Sequence, residues 1–169
     1  LISSIEDNPK MAVQYAELLS DFFRNIVTYR DKEIIPLQEE MSLLQTYFSL
    51  QQKRFGDNLQ MKVQLTEDDL QKFHIPPLTL QLLVENAIKH NIVSTEYPLT
   101  IIISMEDQGN LYVSNNKNKR SSMAAGAGMG LQNIKGRFKI LTGKAIHITD
   151  EEKYFIVKLP LITNPGNNA

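Results

Sequence analysis

The sequence of 169 residues carries a formal net charge of −1, and its 42% hydrophobic and 22% charged residues are ordinary for a globular protein. This charge balance argues against nucleic-acid binding and against a polybasic membrane anchor. Cysteine is absent, which excludes disulfides and thiolate metal sites. No apolar run approaches the roughly 20 residues of a membrane span. The first residue is Leu rather than Met, so we interpret the sequence as a fragment of a longer protein.

Two amphipathic helices are predicted first. One begins at Pro9, because proline suits the first helical position, and its apolar stripe extends to Tyr29. The other begins after Pro36 and ends at Gly56. The short connection predicts an antiparallel hairpin. Two helices bury little by themselves, so their stripes predict either ordinary core packing or a dimer interface.

The hydrophobic period changes after Gly56, where alternation of apolar and polar residues indicates strands. Strands are predicted for LQMKVQL, LTIIISMED, NLYVSNN, AIHIT and YFIVKLPL, and helices for LLVENAIKHN and for Gly130 to about Leu141. The pattern predicts an α+β fold, with a mostly antiparallel sheet and helices on one face. We predict a helical segment at 1–56, an α+β domain at 57–163 and a disordered tail at 164–169.

The helix LLVENAIKHN is apolar except on one arc, formed by Glu85, Asn86, Lys89 and His90 together with Leu82. The arc could face solvent, with a Glu85–Lys89 ion pair worth about 0.3–0.5 kcal/mol. It could instead line a site, because the amide oxygen of Asn86 is a hard ligand suited to Mg²⁺. In that case Glu85 could act as a general base.

The segment GAGMGLQNIKGRF, residues 126–138, places Gly126, Gly128 and Gly130 directly before a predicted helix. Such a loop can present backbone N–H groups to phosphate. It is not a P-loop, since GxxxxGK[ST] is missing. It is not a Rossmann loop either, since no βαβ unit frames it.

Together, the two motifs resemble a known superfamily. LLVENAIKHN resembles the N box of the GHKL ATP-binding superfamily, and GAGMGLQNIKGRF resembles its second glycine box, GxGxGLxNxxxR, up to Arg137. PPLTLQLLVENAIKHN and the preceding RFGDN resemble the LytS-type sensor histidine kinases. The resemblance implies a GHKL (Bergerat-type) two-layer sandwich, and it implies ATP and Mg²⁺ as cofactors.

The resemblance also implies residue roles. Asn86 would bind Mg²⁺, and Glu85 would be the general base. The phosphate end of the pocket would be formed by Lys89, His90, Gly126, Gly128, Gly130 and the adjacent Leu131. In the first glycine box, an Asp normally accepts a hydrogen bond from adenine. Here Asn115 occupies that position, and its uncharged amide would accept a weaker hydrogen bond from adenine. The glycines that normally follow are also missing.

The resemblance implies a two-component sensor kinase that transfers the γ-phosphoryl group of ATP to a histidine and then to a response regulator. The phosphoacceptor would lie upstream of Leu1, since His74, His90 and His147 do not occupy the family's acceptor position. We expect a homodimer through the hairpin, a cytoplasmic location for this segment, and a full-length protein anchored in the bacterial inner membrane. The alternatives are a GHKL ATPase and a degenerate kinase that serves as a scaffold.

Overall fold

The computed structural model describes residues 9–29, 31–107, 109–118 and 129–163. The helices in these ranges are α1 (Pro9–Tyr29), α2 (Leu37–Phe55), α3 (Glu67–Lys72), α4 (Thr79–His90) and α5 (Met129–Thr142), and a short 3₁₀ turn covers Gly56–Asn58. None of these described helices has the length and apolar character to cross a membrane.

The strands form two sheets. Their bounds are β1 (Ile35–Pro36), β2 (Leu59–Gln64), β3 (Phe73–Ile75), β4 (Leu99–Asp107), β5 (Asn110–Asn116), β6 (His147–Asp150), β7 (Tyr154–Pro160) and β8 (Ile162–Thr163). The main sheet has the order β2-β4-β5-β7-β6, and only the β2–β4 pair is parallel. The small sheet has the order β1-β3-β8 and is antiparallel.

The predicted α+β fold is confirmed. The main sheet is mixed and mostly antiparallel, and α4 packs on β4 and β5. The face of α4 that meets the core is apolar, and its buried side chains are Leu80, Leu83, Val84, Ala87 and Ile88. They join buried residues of the sheet such as Ile101, Ile103 and Leu111 in one core.

The sequence analysis missed α3 and the small sheet. The six residues of α3 are too few for a hydrophobic period, but a capping box marks the start of this helix. The Thr66 hydroxyl accepts from the Asp69 N–H at 3.2 Å, and the Asp69 carboxylate accepts from the Thr66 N–H at 2.9 Å. Strands β1, β3 and β8 have only two or three residues each, so alternation could not reveal them.

The predicted helical hairpin is present, but its two helices differ in burial. Helix α2 belongs to the core of the α+β unit, because Leu37, Leu44 and Phe48 pack in the same cluster as the sheet residues. Helix α1 rests on α2, with the Phe22 and Tyr47 ring centroids 5.6 Å apart. The core is therefore continuous across residue 56, and the division into domains at that residue remains a prediction.

Candidate functional site

The polar arc of α4 is oriented as the sequence predicted. Glu85 and Lys89 are exposed, Asn86 and His90 are half-buried, and the opposite face lies in the core. Glu85 and Lys89 are both in the described part of the chain, and no ion pair joins them there. The ion pair that accompanied the solvent-facing interpretation is therefore not observed, and both interpretations of the arc remain predictions.

Asn86 lies against the start of α5. A Cβ placed on Gly130 would be 3.5 Å from Asn86 Nδ2 and 3.8 Å from its Oδ1. The two helices therefore approach closely at this point, where Gly130 has no side chain. Asn86 Nδ2 is buried and has no hydrogen-bond partner within the described residues. A buried polar atom without a partner costs about 1–3 kcal/mol. This amide is therefore better suited to a polar ligand than to the protein interior.

The C-terminal end of α4 is fixed to the segment that follows β5. Asn91 Nδ2 donates to the Ala87 carbonyl at 2.7 Å, and Asn91 Oδ1 accepts from the Asn118 N–H at 2.6 Å. The Ile92 N–H donates back to the Asn118 carbonyl at 2.7 Å. Because these bonds hold α4 beside the end of β5, residues on both elements can line one pocket.

Asn115 lies near that end of β5. Its side chain is 6% exposed and shares the inner face of the strand with Leu111 and Val113. Its Nδ2 donates to the Asn116 carbonyl at 2.7 Å. This bond orients the amide, so that Oδ1 is the atom with which Asn115 could accept from a ligand amine.

The N-terminal end of α4 is capped by a residue of another helix. The buried Glu40 carboxylate of α2 accepts from the Leu78 N–H and from the Leu80 N–H, both at 2.8 Å. Leu78 has a φ of 64°, a left-handed conformation that costs a non-glycine residue about 1–3 kcal/mol. Burial raises the pKa of Glu40 to about 7, although these N–H groups and the charge of Arg137 oppose the shift.

Arg137 joins the same region from α5. Its Nη1 donates to the Pro77 carbonyl at 3.1 Å, and its Nη2 donates to the Lys32 carbonyl at 2.8 Å. The sequence analysis placed Arg137 in the glycine-box motif without giving it a contact. Glu40 lies in the first turn of α2, and its carboxylate is buried against the start of α4.

A sequence signal for Glu40 existed. Glu40 lies three residues after Leu37 and four before Leu44, so it falls on the apolar stripe of α2. A charged residue on such a stripe is buried only when it has a partner. The partner could not be inferred, because it is the backbone of a distant turn.

Glu85 lies close to the helical hairpin. Burial raises the pKa of the Tyr47 hydroxyl, and the negative charge of Glu85 raises it further. Tyr47 also contacts Phe22 of α1. The candidate general base therefore faces α2, the helix of the hairpin that packs on α4.

The other glycines, Leu131 and the two remaining histidines lie in different parts of the chain. Gly126 and Gly128 lie outside the described residues. Leu131 is half-buried and packs against the core. His74 lies in β3, the central strand of the small sheet, and His147 is exposed on β6, an edge strand of the main sheet. The structure thus brings Asn86 and Gly130 together and holds α4 beside the end of β5, where Asn115 lies.

Curated relatives of this chain are sensor proteins. Over 158 aligned residues, which cover 86% of this chain and 28% of the relative, it is 31% identical to the sensor histidine kinase YpdA of Escherichia coli. It is 30% identical over 162 residues to the sensor protein LytS of Oceanobacillus iheyensis, covering 85% of this chain and 28% of the relative. The chain therefore spans about a quarter of the length of these relatives.

Solved structures agree in fold. The catalytic domain of the histidine kinase ThkA matches with a TM-score of 0.52 and 19% identity, covering 78% of this chain and 97% of that one. The histidine kinase AdeS of Acinetobacter baumannii matches with a TM-score of 0.50 and 14% identity, covering 94% and 90%. The family model "Histidine kinase" matches residues 1–59. On the two sequence matches, the chain belongs to the family of LytS-type sensor histidine kinases.

Proposed function

We propose that this chain is the ATP-binding unit of a two-component sensor kinase, which transfers the γ-phosphoryl group of ATP to a histidine and then to a response regulator. The contact between Asn86 and Gly130 is the observation that carries this proposal. It joins the two motifs that the sequence analysis identified separately, and it leaves a buried amide atom facing the start of a helix. An N-terminal helix end favours phosphate, because its N–H groups lack partners within the helix.

The residues around this contact are chemically suited to Mg-ATP. Asn86 would hold Mg²⁺ through Oδ1, and the N–H groups at the start of α5 would bind phosphate oxygens. The exposed Lys89 would add positive charge one turn further along α4. Asn115 would accept from the adenine amine. When bound, Mg²⁺ supplies charge neutralisation at the phosphates.

Phosphoryl transfer depends mainly on position and charge, because the acceptor must approach the γ-phosphorus in line. Glu85 would orient the acceptor histidine and take up its proton. The acceptor itself would lie outside this chain. His74 is in a strand paired on both sides, His90 ends the pocket helix, and His147 is in an edge strand of the main sheet.

The helical hairpin would form a homodimer. Helix α1 turns Phe22 toward α2, while Val13, Phe23 and Val27 on its other face are 57–74% exposed. These spacings place the three exposed residues on one side of the helix. A second copy would cover them in a four-helix bundle.

A scaffold without kinase activity is the second candidate, because Asn115 replaces the charged adenine acceptor. Calorimetric titration with Mg-ATP separates the candidates. The kinase proposal predicts saturable binding that weakens when EDTA removes Mg²⁺ and when GTP replaces ATP. A chain that binds neither nucleotide under any of these conditions would favour the scaffold.

The position of the acceptor is tested by incubation with γ-labelled ATP, followed by an acid-lability test for phosphohistidine. We expect no label on His74, His90 or His147, and acid-labile label on a protein that also contains the upstream segment. Label that maps to any of the three histidines would refute this part of the proposal.

A further inference from the structure

The junction of Glu40 and Arg137 is separate from the residues assigned to nucleotide. Glu40 comes from α2, Arg137 from α5, and both bind the backbone at residues 77–80, where α4 begins. Arg137 also binds the Lys32 carbonyl in the connection between α1 and α2. Two side chains therefore join the hairpin to both helices of the candidate pocket.

The start of α4 is held by side chains from other elements. The backbone at Leu78 is left-handed and carries strain, so the start of α4 needs external partners to hold it. The Glu40 carboxylate provides them with one oxygen for each of two N–H groups, at 2.8 Å. An amide side chain could offer only one acceptor there, and its NH₂ group would face an N–H donor.

Arg137 acts at the other side of the junction. Its guanidinium spans two carbonyls, at 3.1 Å and 2.8 Å, that belong to different segments of the chain. A planar guanidinium can do this, whereas a lysine ammonium is a single point of contact. On the same helix, α5, Gly130 lies against Asn86 of α4. A shift of α5 relative to α4 would therefore change the contact that defines the pocket.

We propose that Glu40 and Arg137 are positioning residues, which hold α4 and α5 in the relative arrangement that Mg-ATP binding requires and which transmit movement of the hairpin connection to that arrangement. This inference rests on the proposed nucleotide binding. The positioning role is distinct from nucleotide binding, because neither Glu40 nor Arg137 would contact the nucleotide. A change in the α1–α2 connection at Lys32 would reach Asn86 through Arg137 and α5.

The test uses the whole chain, the variants Glu40→Gln and Arg137→Lys, and Mg-ATP as the probe. Thr66→Ala is the matched control, because it also removes a helix cap, but on α3, which packs mainly on α2 and β1. We expect both test variants to weaken Mg-ATP binding roughly tenfold. Thr66→Ala should lower the unfolding free energy while leaving the dissociation constant within about twofold of wild type.

A second readout needs no nucleotide. The NMR resonances of the Gly130 backbone amide and of the Asn86 side-chain amide should shift in both test variants and stay in place in Thr66→Ala. If Glu40→Gln fails to fold, Arg137→Lys carries the test alone, because Arg137 is only half-buried. If the wild type binds Mg-ATP, and both variants have the same affinity and the same resonances as the wild type, the positioning role is overturned and the proposed function stands. A wild-type chain that binds no nucleotide would refute the proposed function itself, and the positioning role with it.

Discussion

Two glycines of α5 allow a matched test of the pocket. Gly130 faces Asn86, whereas a Cβ on Gly136 would have no atom within 4 Å. Alanine at Gly136 should therefore raise the unfolding free energy by up to about 1 kcal/mol, because the residue lies inside a helix and alanine is the better helix former. Alanine at Gly130 should fold as well as wild type, since contacts of 3.5 Å and 3.8 Å are ordinary van der Waals distances.

Binding should separate the two variants. The new methyl group at residue 130 would occupy the space beside both polar atoms of Asn86, which a phosphate oxygen or Mg²⁺-bound oxygen would otherwise share. We expect Gly130→Ala to weaken Mg-ATP binding at least about tenfold, or about 1.4 kcal/mol, and Gly136→Ala to leave it unchanged. Urea unfolding and calorimetry measure the two effects. Equal nucleotide affinity for Gly130→Ala and Gly136→Ala would refute the pocket at the α4–α5 contact.

Three further predictions follow from single side chains. Asn115→Asp should tighten ATP binding by about 1 kcal/mol if residue 115 accepts from adenine, and should lower stability by a similar amount because the bond to the Asn116 carbonyl is lost; unchanged discrimination between ATP and GTP would contradict this. Since the folded-state pKa of Glu40 is about 7, above its ordinary value of 4.5, Glu40 contributes stability that is present at low pH and is lost as the pH rises through 7. The unfolding free energy of wild type relative to Glu40→Gln should thus increase by about 2 kcal/mol from pH 7 to pH 5, and a pH-independent difference would mean that Glu40 does not titrate there. Phe23→Glu, at a position 57% exposed on α1, should abolish self-association in sedimentation while the chain remains folded, and a dimer that survives this change would place the interface elsewhere.

The longer elements could be predicted because their hydrophobic period is unambiguous. The polar arc of α4 is the clearest example, since five apolar residues on the opposite face are buried as the spacing required. The end of α2 was also found, because Gly56 follows it with a φ of 58°, a conformation that favours glycine. Local sequence patterns were sufficient to predict these elements.

The parts that depend on distant contacts could not be predicted. Glu40 caps the turn at Leu78 across a sequence separation of 38 residues, and Arg137 reaches the Lys32 carbonyl across 105. Backbone groups carry no residue-specific signal, so nothing in the sequence identifies them as partners. The burial of Asn115 depends on the packing of the sheet against the helix layer, although the strand itself was predicted.

The most direct test of the nucleotide site is calorimetry with Asn86→Ala. Asn110→Ala is the control, because it makes the same chemical change at the end of β5 opposite to Asn115. Asn86 is half-buried and its Nδ2 forms no hydrogen bond within the described residues, so removal of the amide should leave the fold intact. We predict that Asn86→Ala loses Mg²⁺-dependent ATP binding, while Asn110→Ala binds as wild type does. Undiminished Mg-ATP affinity in a folded Asn86→Ala protein would contradict the account.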